Sequence, residues 1–299
     1  MNKLIKLLAI FAICAVLLFS GCTEKVQENS TEAEASNDKL VVAVSILPQA
    51  EFVEQIGGEN VKTVIMVPPG SDPHSYEPTP GQLKNLSNAQ MYVKVGSGLS
   101  FETVWMDKLI SINSKMIVVN SSAGITQVMI EDDPDGDTGA DPHVWTSPLN
   151  AKIMVKNIYE GLVSIDPDNE TIYKQNYDSY IAKLDEADTK LKTALAGKEG
   201  TSFMVYHPAW AYFAKDYGLH EIAVEVGGKE PSPQDMQKLI DEAKEKGIKV
   251  IFVQSGFSTA SAKTIADQIG GEVVEVDPLA KDYIDNLDRV SSAFAKGLA

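Results

Sequence analysis

Two series of short apolar runs, split by one long unbroken amphipathic stretch, constrain this chain more than any other feature. In the first series, Leu40–Ile46, Val61–Met66, Gln90–Val95 and Lys115–Val119 are separated by helix-compatible segments. The second series, Ser202–Tyr206, Glu221–Val226, Lys249–Val253 and Glu272–Val276, repeats the theme. Runs as continuously apolar as Leu40–Ile46 suit strands covered on both faces. Strands alternating with helices imply βαβ units and mostly parallel sheets. Between the series, Asp166 can cap a helix and Pro167 suits its first position. Apolar residues then recur at intervals of three and four, from Ile172 through Tyr180 and Leu184 to Leu195. That spacing predicts one amphipathic helix over 166–196, roughly 40–45 Å long. The expected class is therefore α/β: two lobes, 40–165 and 198–299, joined by a stiff strut over 166–197. An ordinary long surface helix of one domain is the alternative. Ser232-Pro233-Gln234-Asp235 marks a second helix start, with Ser at the cap and a carboxylate three residues on.

The chain ahead of the first lobe has a different character. Lys3 and Lys6 precede an apolar stretch, Leu7 to Phe19, of signal-peptide length and too short to span a bilayer comfortably. Ser20 and Gly21 then lead to Cys22, which resembles a lipobox with Phe19 where Leu is usual. Residues 1–21 read as a lipoprotein signal peptide and Cys22 as the lipidated first residue of the mature chain; a plain signal peptide is the alternative. Residues 22–39 are almost wholly polar or charged, as expected of a flexible tether. The body is then a domain held near a membrane, outside the cytoplasm. Cys14 and Cys22 are the only cysteines, which excludes a disulfide scaffold and Cys-based zinc modules. A formal charge of −16, from 26 basic against 42 acidic residues, argues against nucleic acid as a partner.

Only four histidines are present, and three adjoin proline: Asp72-Pro73-His74, Asp141-Pro142-His143 and His207-Pro208. Proline stiffens the backbone on either side of it. His74, His143, His207 and also Asp277, in Val276-Asp277-Pro278, all lie downstream of predicted strand ends. That edge of an open α/β sheet is where ligands bind. Two come from each half, so facing lobes would bring all four into one cleft. Three imidazoles and one carboxylate suit tetrahedral Zn²⁺, although imidazole also accepts copper, nickel and iron. Asp72 and Asp141 are candidate outer acceptors for the ring nitrogens. His220, without a proline neighbour, reads as an ordinary residue.

The segments Gly70-Ser71-Asp72-Pro73-His74-Ser75-Tyr76-Glu77-Pro78-Thr79-Pro80, Asp141-Pro142-His143-Val144-Trp145, His207-Pro208-Ala209-Trp210 and Asp277-Pro278-Leu279 resemble those of the zinc- and manganese-binding receptors of ABC importers. The resemblance covers essentially all of 40–299. It implies two Rossmann-like lobes, a rigid linking helix, and a metal held between the lobes by His74, His143, His207 and Asp277. It further implies Zn²⁺ as the transported ligand, delivery to a permease driven by a cytoplasmic ATPase, and a family-level link to cell adhesion; a monomer is expected, and the alternatives are a receptor of the same fold for manganese or another transition metal, or a surface adhesin. His207 stands where manganese-type relatives typically carry Glu, which favours zinc over manganese. The His-rich loop of many zinc-type relatives is replaced here by Glu131-Asp132-Asp133-Pro134-Asp135-Gly136-Asp137-Thr138-Gly139. That acidic loop also fails the EF-hand template, with Thr138 where Gly is required and Val144 where Glu is required. A zinc hydrolase with Asp277 or Glu77 as base is the enzymatic alternative. No His-Glu-x-x-His helix or Gly-x-Ser-x-Gly elbow supports it.

Overall fold

The computed structural model describes residues 39–129, 139–254 and 259–298. The readings for the signal peptide, for Cys22, for most of the tether and for the acidic loop up to Thr138 lie outside the described residues. Within them, strands and helices alternate as β1 (Leu40–Val44), α1 (Leu47–Gly57), β2 (Val61–Ile65), α2 (Pro80–Leu86), β3 (Met91–Lys94), α3 (Ser100–Ile112) and β4 (Ile117–Asn120). Two consecutive helices follow, α4 (Pro148–Ile165) and α5 (Glu170–Ala194). The second series is β5 (Ser202–Val205), α6 (Ala211–Tyr217), β6 (His220–Ala223), α7 (Pro233–Glu245), β7 (Val250–Val253), α8 (Ala260–Ile269), β8 (Glu272–Glu275) and α9 (Tyr283–Gly297).

Each series forms one four-stranded parallel sheet, ordered β2-β1-β3-β4 and β6-β5-β7-β8. The first strand of each series is central, and the chain turns back to the other side of it for the third. Connections from β1 and β3, and from β5 and β7, therefore diverge and open a crevice at the strand carboxyl ends. Central strands are the most apolar: β7, Val-Ile-Phe-Val, is buried throughout. β1 ends earlier than its apolar run because Gln49 Oε1 accepts from Ser45 N at 3.1 Å and Ile46 N at 3.2 Å. Those two bonds start α1 at the expense of the strand. The cap foreseen at Ser232 forms, its hydroxyl accepting from Asp235 N at 3.2 Å.

The linking helix differs from its expected form. Asp166 does not cap it, because its Oδ2 accepts from Tyr173 Oη at 2.5 Å and Asn169 Nδ2 at 2.8 Å. Residues Pro167–Asn169 form a 3₁₀ turn, and α5 begins only at Glu170. Its 25 residues span about 38 Å. Tyr173, Tyr180, Leu184, Ala187 and Leu191 make its buried stripe, whereas Ile172, off that stripe, is exposed. The helix is fastened to both lobes. Asn176 Nδ2 donates to Ile56 O at 2.9 Å and Tyr180 Oη to Glu51 Oε1 at 2.7 Å, both on α1. Further along, Asp188 Oδ1 accepts from Tyr217 Oη of α6 at 3.1 Å, and Lys190 pairs with Asp288 of α9 at 3.2 Å. No described helix is long and apolar enough to cross a membrane.

One apolar core runs from the first sheet through α5 to one face of the second sheet. A separate cluster fills the opposite face, with Met204, Ile251, Leu239 and Ile265. In the main core, Phe294 is fully buried and stacks on Phe252 at 4.3 Å, with Phe203 and Phe213 each at 4.9 Å. Phe294→Ala should lower the unfolding free energy by about 3–5 kcal/mol, read by urea denaturation. A loss below about 1 kcal/mol would show that the second lobe does not depend on this aromatic nucleus.

Candidate metal centre

Three Asp-Pro-x turns aim the site residues. In each, the aspartate Oδ1 accepts the backbone N–H two residues on: Asp72 from His74 at 2.8 Å, Asp141 from His143 at 2.7 Å, Asp277 from Leu279 at 2.8 Å. This local bond competes with regular structure and sharpens a turn that proline already stiffens. His74 sits in the loop after β2, which α3 supports through Phe101 N donating to Pro73 O at 3.0 Å. His143 precedes α4, its loop tied to the first lobe by a hydrogen bond from Ser97 Oγ to Pro142 O. His207 leaves the end of β5. Half-buried Glu221 accepts from the N–H groups of Ala209 at 3.1 Å and Trp210 at 3.0 Å, holding the segment that follows His207.

These loops bring His74, His143 and His207 together, and they form the only group of three or more candidate metal-ligating side chains among the described residues. His143 Nε2 lies 3.1 Å from His74 Nε2 and 3.2 Å from His207 Nε2. Nδ1 of His143 is 2.8 Å from Asp141 Oδ1, and Nδ1 of His207 is 2.6 Å from Glu225 Oε1. A carboxylate only accepts, so both Nδ1 atoms carry the proton, and a neutral ring in that tautomer offers its Nε2 as the ligand atom. Tetrahedral Zn–N bonds of ~2.0–2.1 Å require nitrogens about 3.3 Å apart, so the donor set fits a single such ion. His74 differs from the other two: its Nδ1 meets the Ser100 hydroxyl at 3.3 Å. Burial, followed by the two neighbouring imidazoles, pushes His74 down to about 4, which keeps it neutral and able to ligate.

The other expected residues divide. Asp141 serves the His143 ring as foreseen. Asp72 does not serve His74, since its oxygens take the His74 N–H and the Ser75 hydroxyl instead. Glu225, unnoticed in the sequence, occupies the corresponding role for His207. Asp277 is not in the three-histidine group: its Oδ1 is engaged by Leu279, and burial pushes its carboxyl above the usual range. It borders a cavity of about 630 Å³ lined by Ile46, Gly70 and Asp72 of the first lobe and by Gln254 and Arg289 of the second. His220 and Glu77 are exposed and outside the group. Ties between the lobes converge here. Fully buried Trp145 donates from Nε1 to Pro278 O at 2.7 Å, Tyr283 Oη to Trp145 O at 2.7 Å, and Tyr212 Oη to Asp141 O at 2.9 Å.

A family model described as zinc-uptake complex component A, periplasmic, matches residues 42–297. The chain belongs to this family. It is 32% identical over 282 residues to the high-affinity zinc uptake system protein ZnuA of Bacillus subtilis (strain 168), covering 90% of this chain and 88% of that one. It is 27% identical over 296 residues to the manganese-binding lipoprotein MntA of Halalkalibacterium halodurans, covering 95% of each. A crystal structure of ZnuA gives a TM-score of 0.83 at 41% identity, covering 88% of this chain and 100% of that one. A ZnuA deletion mutant solved with zinc bound gives 0.81, also at 41% identity, covering 88% of this chain and 99% of that one.

Two consequences follow for this zinc-uptake family member. Because the Trp145 ring lies 5.3 Å from His143 and bonds the residue after Asp277, zinc should change its emission. Trp145→Phe should remove most of that change, and an undiminished response would place the reporting ring elsewhere. Burial, then the charge of Asp141, pushes Glu221 up to about 8 against the pull of its two N–H donors. An unfolded carboxyl titrates near 4.3, so between about 4.3 and about 8 the folded chain keeps a proton that the unfolded chain has lost. The contribution of Glu221 is full below that window and is lost as pH rises through it. Glu221→Gln should flatten the fall in unfolding free energy over that window, measured by denaturant titration of metal-free protein. An unchanged pH slope would show that Glu221 ionises normally.

Proposed function

We propose that this receptor captures Zn²⁺ outside the cytoplasm on His74, His143, His207 and Asp277 and delivers it to an ABC permease driven by a cytoplasmic ATPase. The approach of three imidazole nitrogens, with Nε2 separations of 3.1 and 3.2 Å, carries the reading. Asp277 supplies the fourth bond through Oδ2, leaving its Oδ1 in the turn with Leu279. The Trp145–Pro278 bond keeps its loop beside the segment that carries His143. A shell closed by a protein oxygen has no position for an attacking water, as suits a receptor rather than a hydrolase. Nitrogen-rich ligation with His207 in the third position favours zinc over the oxygen-preferring Mn²⁺. Cys22 carries the lipid anchor, residues 23–39 tether the domain to the membrane, and the receptor works as a monomer.

Elemental analysis of protein purified without added metal should find zinc, and chelator competition should rank zinc above manganese and iron. His207→Ala should weaken zinc binding by at least about 100-fold, and Asp277→Ala by at least about tenfold. Wild-type zinc affinity in His207→Ala would refute the ligand assignment. Wild-type affinity in Asp277→Ala would return the fourth position to water.

A further inference from the structure

A buried carboxylate, Glu225, stands behind His207. His207 and Glu225 are partners by sheet register. In the β5–β6 ladder Ser202 faces His220 and Val205 faces Ala223, a constant offset of 18. Beyond the strands the ladder continues, with Val224 N donating to Val205 O at 2.8 Å and Glu225 N to Tyr206 O at 3.0 Å. The same offset carried to position 207 reaches Glu225. The pair thus leaves the sheet edge side by side, and its side chains meet at 2.6 Å with 11% and 6% of their surfaces exposed.

We infer that Glu225 is a positioning residue of the metal centre, holding His207 in the Nδ1–H tautomer so that Nε2 points its lone pair at the ion. The inference rests on His207 being a ligand. An imidazole whose outer nitrogen bonds a carboxylate is fixed in ring orientation and is a stronger base at its inner nitrogen. Asp141 does this for His143 from two residues away in the same turn, whereas Glu225 does it from a neighbouring strand end. Each lobe therefore contributes one imidazole backed by a buried negative charge. That charge lies one ring away from a divalent cation, where a low-dielectric setting makes it count.

The test compares Glu225→Gln and Glu225→Ala in the full chain by chelator competition with Zn²⁺, ring ¹⁵N shifts of His207 in the metal-free protein, and thermal denaturation of the metal-free protein. Glu225→Gln keeps an oxygen acceptor and removes the charge; zinc affinity should drop about tenfold. Glu225→Ala removes both, and affinity should drop by up to about 100-fold, with the His207 shifts moving toward a mixture of tautomers. Wild-type affinity in both variants, or unaltered His207 shifts in Glu225→Ala, would overturn the inference. Because Glu225→Ala can also disturb folding, Glu225→Gln decides the question when the two variants differ in melting temperature. An affinity loss that is the same in the His207→Ala background would likewise overturn it, since a group acting through His207 has no effect once the ring is gone. If His207→Ala alone leaves zinc binding intact, the ligand assignment fails. If His207→Ala is severe and both Glu225 variants are silent, only the positioning role fails.

Discussion

Three imidazoles whose ligand atoms lie within 4.8 Å of one another are the constraint on which the candidate metal centre depends. His143 and His207 each give their outer N–H to a buried carboxylate, and their inner nitrogens lie 3.2 Å apart. A cation placed among them and His74 would take all three rings as ligands.

Holding such an arrangement requires that the lobes do not drift apart. The long helix α5 is fastened to α1 of the first lobe and to α6 and α9 of the second. Glu51 reinforces the junction, accepting from Tyr180 of α5 and from the N–H of Tyr283 at the start of α9. Closer to the histidines, Trp145, Tyr212 and Tyr283 bond across the lobes to backbone carbonyls. These aromatics are buried, so each bond combines apolar contact with a satisfied polar tip.

Much of the fold was readable because it rests on local periodicity. Continuous apolar runs gave the strands to within a few residues, and three-and-four spacing located the linking helix. At Asp166 the local signal loses: an aspartate before a proline signals a cap, yet here Tyr173 and Asn169 draw its carboxylate away. The prominence of α4 beside α5 was also not legible, since two consecutive amphipathic helices look alike whether they separate or pair. The grouping of the three histidines was legible because each adjoins proline downstream of a strand's carboxyl end, His143 after a long loop. Ser100 and Glu225 were not. A serine at a helix start and a glutamate after a strand carry no signal of the ring they will meet.

By itself, the sequence determined the two βαβ series, the helix between them and the stiff Asp-Pro and His-Pro turns, because backbone preference and hydrophobic pattern act over a few residues. Only the tertiary structure decided which carboxylate backs which imidazole, that Asp72 serves a backbone N–H instead of a ring, and that Asp277 stands apart from the three histidines. Those outcomes depend on strand register and on the facing of two lobes. Residues 18 or 69 positions apart become neighbours only once the sheets have formed and the core has locked them together.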